Sequence, residues 1–102
     1  MKLPFEAGAA DELVAAAEWY EAERVGYGEL FVQEVREVVS RAADFPGSGE
    51  RASDSRPSHD VRLFRVRRFP FTVVTARLDG RRAVVAVAHT SRRPGYWADR
   101  LG

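Results

Sequence analysis

The sequence predicts a two-layer α+β domain ordered β-α-α-β-β-β, with a helical hairpin packed on one face of an antiparallel sheet. Three observations carry this. Helical periodicity fills the first half of the chain, alternating and apolar runs fill the second, and Asp79-Gly80 stands between two of those runs. That dipeptide suits a two-residue type I′ hairpin, because both of its residues accept positive φ.

Lys2 to Glu6 reads as a short first strand. Pro4 has no N–H to donate, so this strand pairs on one side only or lies at an edge. From about Ala9 the period becomes helical, with Leu13, Val14, Ala17 and Tyr20 as the apolar stripe and Asp11 and Glu12 near the positive end of the helix dipole. Gly26 and Gly28 bracket Tyr27 and break the helix. A second stripe follows in Leu30, Phe31, Val35, Val38, Val39 and Ala42, and Phe45-Pro46-Gly47 stops it.

Gly47 to Asp60 has no period and is rich in Gly, Ser, Pro and charge, so it reads as a long loop. Val61 to Arg67 is the next strand, Arg68-Phe69-Pro70-Phe71 a corner, and Phe71 to Leu78 another strand. Ala83 to Ala88 is apolar on both faces and reads as a central strand. Thr90 to Gly95 is polar, and Tyr96 to Leu101 suits a last helical turn.

The chain has 102 residues, the length of one domain, and is read as a single domain over 1–102. It contains no cysteine, which excludes disulfides, thiolate metal sites and cysteine nucleophiles. The apolar run at 83–88 falls far short of the roughly 20 residues a membrane span requires. The N-terminus lacks a signal-peptide pattern, so the expected location is the cytoplasm.

The net charge of +1 conceals a division between the halves. Residues 1–50 carry a balance of −7 and residues 51–102 a balance of +8, with twelve arginines in the second half. Such asymmetry points to an acidic or polyanionic partner for the basic half.

Candidate site residues follow from side-chain chemistry. Arg65, Arg67, Arg68, Arg92 and Arg93 fall near predicted strand ends, where guanidinium groups can converge on phosphate or carboxylate. The alternative is charge that protects an edge strand. His89 ends the central strand and is the natural candidate for proton transfer near neutral pH. Tyr96 lies three residues past Arg93, placed to stack on a ligand, to shuttle a proton, or to pin the tail to the sheet. Trp19 and Trp97 read as core or lid. No metal-ligand spacing and no phosphate-binding glycine loop is present, so no cofactor and no metal are expected.

Ala16-Ala17-Glu18-Trp19-Tyr20-Glu21, Arg68-Phe69-Pro70-Phe71 and the segment from Ala86 to Trp97 resemble, in order and spacing, motifs of RelE/ParE-type toxins of bacterial toxin–antitoxin pairs. The resemblance implies the same helical-hairpin-on-sheet fold and a cognate antitoxin encoded by an adjacent gene, whose disordered segment folds onto the toxin. It implies one of two activities. The ParE-like branch, favoured here, binds DNA gyrase and blocks growth. The RelE-like branch cleaves mRNA on the ribosome without a metal. For a nuclease the candidate catalytic residues are Arg65, His89, Arg92 and Tyr96, of which the resemblance matches Arg65, Arg92 and Tyr96; for binding the candidates are Arg67, Arg68, Arg92, Arg93, Tyr96 and Trp97. Where the nuclease branch carries an arginine after the Phe-Pro-Phe corner, this chain has Thr72, so whether the protein is an enzyme stays open.

Overall fold

In the computed structural model, residues 2–52 and 58–102 are described; residues 53–57 of the predicted loop, together with Met1, lie outside them. Two helices, α1 (Ala7–Glu23) and α2 (Tyr27–Asp44), are followed by four strands, β1 (Glu50–Arg51), β2 (Arg62–Arg65), β3 (Phe71–Leu78) and β4 (Arg81–His89), and by a C-terminal 3₁₀ helix, Tyr96–Leu101. The strands form one antiparallel sheet in the order β1-β2-β3-β4.

Lys2 to Glu6 does not form a strand. It makes one parallel bridge, Phe5 to Val84, in which Glu6 N–H donates to the Val84 carbonyl at 2.8 Å and Val84 N–H donates to that of Pro4. The segment is too short to continue, because α1 starts at Ala7. Glu6 caps that helix by accepting the Gly8 N–H at 2.8 Å. The first turn therefore lies before Asp11 and Glu12, which leaves Glu12 free to face β4.

The helices pack through the stripes that their periodicity demands. Phe31, Val35, Val38, Val39 and Ala42 of α2 join Ala9 of α1, the sheet residues Phe64, Phe71, Val73, Val84 and Val87, and Val66 just past β2 in one core. Val14 departs from its predicted stripe and is 56 % exposed. At about 100° per residue it points away from the direction shared by Ala9, Leu13 and Tyr20. Gly26, with φ of 92°, makes the turn between the helices. Gly28 instead belongs to α2, and a Cβ there would lie 2.5 Å from the Ala17 carbonyl oxygen, so it is the point where the two helix backbones meet.

The Phe69-Pro70-Phe71 corner is an aromatic anchor. Phe69 and Phe71 stand edge-on to Phe31 and to Tyr20, with ring centroids 4.8–6.2 Å apart. Arg68, at φ of 71°, turns the chain into this corner, so the strand predicted to reach Arg67 stops at Arg65. Asp79 and Gly80 both have positive φ, as a type I′ turn requires.

The predicted loop contains the short strand β1, which pairs with β2. It is fixed by Asp60, whose carboxylate accepts from Arg62 at 3.0 Å and from Arg82 at 2.7 Å, with Arg51 at 3.9 Å. Arg82 also donates to the Thr75 hydroxyl, so this one aspartate ties β1, β2, β3 and β4 together at one end. No helix among the described residues is long and apolar enough to cross a membrane.

Candidate functional site

The sheet face opposite the helices carries a second apolar layer, in which Trp97 and Leu101 of the 3₁₀ helix cover Val74, Ala76, Val85, Ala86 and Ala88. Beside this cover the face stays open as a shallow cavity of about 320 Å³. Its floor is Leu63, Thr72, Val74, Ala88 and Trp97, and Arg51, Arg92, Arg93, His89 and Tyr96 stand round it. Strand alternation produces this arrangement: Thr72 and Val74 of β3 share a face, and Arg65 stands directly across from Thr72 on β2.

A β-bulge shapes the far side. Thr75 pairs with Val84 and Val74 with Ala86, so Val85 is the extra residue. Its carbonyl, left out of the ladder, accepts from the Arg100 guanidinium at 2.9 Å. The same guanidinium donates twice to the Glu12 carboxylate, at 2.9 and 3.1 Å. Glu12 further accepts the Val87 N–H at 3.0 Å and the Tyr96 hydroxyl at 2.6 Å. One carboxylate on α1 thus seals the edge of β4 and holds the C-terminal 3₁₀ helix.

The electrostatics follow from these contacts. Burial pushes the Glu12 carboxyl up, but the hydrogen bonds from Arg100, Tyr96 and Val87 outweigh it and hold the group below its ordinary value. Tyr96 is pushed up to about 12 by burial, by its bond to Glu12 and by that group's charge. Its ring carries the Arg92 guanidinium 3.9 Å from the centroid, with Arg100 at 5.4 Å. His89 stands edge-on to Phe71, and its Nδ1 accepts the Ser91 N–H at 3.0 Å with the Ser91 hydroxyl 2.7 Å away.

Arg65, His89, Arg92, Arg93 and Tyr96 therefore lie on or beside one concave face. Trp97 is a buried part of its floor. Arg67 and Arg68 do not join them. Beyond the end of β2 at Arg65, Arg67 lines a polar groove along α2 with Glu34 and Glu37, and Arg68 Nε lies 3.8 Å from Glu34. The five arginines split into a set on the open face and a pair turned towards the helices.

Trp19 is neither core nor lid, being 61 % exposed. It lies on the flank of α1 shared with Glu12 and Ala15, and lines a largely apolar groove of about 590 Å³ with Tyr20, Pro70 and Phe71. His89 and Arg92 line both this groove and the open-face cavity, forming the wall between them. Among the described residues, no group of three or more His, Cys, Asp or Glu side chains could hold a metal ion.

The helical hairpin on an antiparallel sheet is a fold that this chain shares with a solved structure. The structure matches a solved structure described as the chromosomal ParDE TA system from P. aeruginosa, with a TM-score of 0.70 at 20 % identity, over 87 % of this chain and 95 % of that one. No curated protein matches the sequence. The family model for the ParE toxin of the type II toxin-antitoxin system parDE matches residues 4–94, and the chain belongs to that family. The match stops at Pro94, so Tyr96, Trp97 and Arg100 lie beyond it.

Glu12, Asp60 and Arg100 escaped sequence reasoning as organising residues. Glu12 meets Tyr96 and Arg100 across 84 and 88 positions, a distance at which no local pattern operates.

Proposed function

We propose that this chain is the growth-inhibiting toxin of a ParDE-type pair, that it acts by binding DNA gyrase, and that a cognate antitoxin encoded by an adjacent gene neutralises it. The observation that carries the binding reading over a nuclease is the state of Tyr96. Its hydroxyl is committed to Glu12 at 2.6 Å and its pKa is pushed up to about 12. Metal-free cleavage by an RNA 2′-hydroxyl requires proton transfer at the scissile phosphate, and a phenol so held is poorly suited to supply it at neutral pH. Thr72 supports the same reading, because it lines the cavity where the nuclease branch would place a phosphate-binding arginine.

The test is supercoiling of relaxed plasmid by purified gyrase. Saturating toxin should abolish it, and equimolar antitoxin should restore it. Undiminished supercoiling would overturn the proposed target.

A second reading, ribosome-dependent mRNA cleavage, draws on His89 and Arg92 flanking one cavity with Arg65 on the same face. It predicts codon-positioned cuts on translating ribosomes that vanish on Arg92→Ala. Intact transcripts would dispose of it.

A further inference from the structure

The fold turns the charge division of the sequence into a division in space. The helix layer exposes seven carboxylates, Asp11, Glu18, Glu21, Glu23, Glu29, Glu37 and Asp44, against three arginines, Arg24, Arg36 and Arg41. The opposite sheet face exposes Arg65, Arg81, Arg92 and Arg93. Arg65 belongs to that face because it pairs with Thr72 of the cavity floor, and Arg81 because it pairs with Leu78, which packs in the open-face apolar layer. None of these four makes an ion pair among the described residues, whereas Arg62, Arg82 and Arg100 are held by Asp60, Glu12 or Glu6. Glu50 lines the same cavity, Asp79 stands in the hairpin turn two residues before Arg81, and Asp99 lies on the 3₁₀ helix.

The spacing of the four is also informative. Thr72 and Leu78, the partners of Arg65 and Arg81, are six residues apart on β3. At about 3.4 Å per residue this separates the two arginines by about 20 Å along the sheet. Along the axis of duplex DNA each phosphate of one strand rises about 3.4 Å, so a row of this length lies alongside about six base pairs. Arg92 and Arg93 continue beyond His89, past the same end of the sheet as Arg65.

From this layout we infer that the open sheet face is a contact surface for the phosphate backbone of duplex DNA, with Arg65, Arg81, Arg92 and Arg93 as its phosphate ligands. The charge complementarity selects a polyanion, and the row's length selects an extended one. The acidic helix layer repels DNA from the other side and so fixes the orientation. The inference extends the gyrase reading, since gyrase holds duplex DNA, but its test needs no gyrase.

That test is fluorescence anisotropy of a labelled 20-base-pair duplex titrated with the full chain across a salt series. Four neutralised phosphates give a slope of log K against log[salt] of about −3.6, a loss of about 150-fold in affinity between 50 and 200 mM. Arg65→Gln, Arg81→Gln, Arg92→Gln and Arg93→Gln should each shallow the slope by about 0.9, and the quadruple variant should not bind. Arg36→Gln on α2, which changes net charge equally, should leave the slope unchanged. Circular dichroism checks that each variant folds.

Absence of binding at 50 mM salt, an equal effect of Arg36→Gln, or tighter binding to single-stranded RNA of matched charge would each overturn the inference. Gyrase inhibition without DNA binding would overturn it while sparing the proposed target. DNA binding with gyrase unaffected would do the reverse.

Discussion

Replacing Glu12 by alanine should be the most damaging single change on the surface of α1. The carboxylate takes four hydrogen bonds: from the Val87 N–H, from the Tyr96 hydroxyl and two from Arg100. Its side chain is 17 % exposed and that of Arg100 is 22 %. Removing one partner of a fully buried ion pair costs roughly 3–5 kcal/mol, and partial exposure places this pair at the lower end, about 3 kcal/mol. For a chain of this length the unfolding entropy is about 0.21 kcal/mol/K, so the midpoint should fall by about 14 °C. Glu12→Gln keeps the shape but not the charge and should lose about half as much. Thermal unfolding followed by circular dichroism measures both, and urea titration checks that the slope m is unchanged. The pH dependence has a defined sign. The folded pKa is depressed, so the contribution is complete above the ordinary value of 4.5 and is lost as pH falls through the lower folded value. A drop of less than about 3 °C for Glu12→Ala at pH 7, against the 14 °C expected from the buried pair, would refute the claim that this carboxylate locks the tail.

Three further outcomes follow from the same geometry. Gly28→Ala should cost about 2 kcal/mol in a denaturant titration, because its Cβ meets the Ala17 carbonyl at 2.5 Å; Gly47→Ala, with open space around it, is the neutral comparison. Asp60→Asn should cost about 2–3 kcal/mol by leaving the partly buried Arg82 and its neighbours without a countercharge. Burial raises the Asp60 carboxyl, but Arg62, Arg82 and Arg51 hold it below its ordinary 3.8, so the wild-type advantage should be full above that pH and fade as pH falls through the folded value. Trp19→Ala should lower stability by no more than about 1 kcal/mol, since the side chain loses one edge-on contact with Tyr20 and is mostly in solvent.

Much of the fold is legible in the sequence because its signals are local. The α2 stripe, the Asp79-Gly80 turn and the span of β3 depend on neighbours within a few residues. The two-residue strand β1 gives no such signal, since it is held by distant partners: its ladder to β2, the Arg62 bonds to the Gly47 and Gly49 carbonyls, and the Asp60 cluster. The site was legible in part. Period-2 reasoning puts Arg65 and Arg67 on one sheet face; it holds for Arg65, which lies across from Thr72, but fails at Arg67, because β2 ends at Arg65 and Arg67 already belongs to the turn beside α2. Gly28 and Trp19 show the same limit on helices. A glycine reads as a break, and a tryptophan as core, until the partner element fixes which flank is covered.

The most direct test is to induce the chain in growing bacteria and examine plasmid topology and mRNA 5′ ends in one culture. Growth arrest should come with loss of negative supercoiling and with transcripts uncut, and co-induction of the antitoxin should reverse both arrest and topology. Normal supercoiling with codon-positioned transcript ends, or uninterrupted growth, would contradict a gyrase-directed toxin.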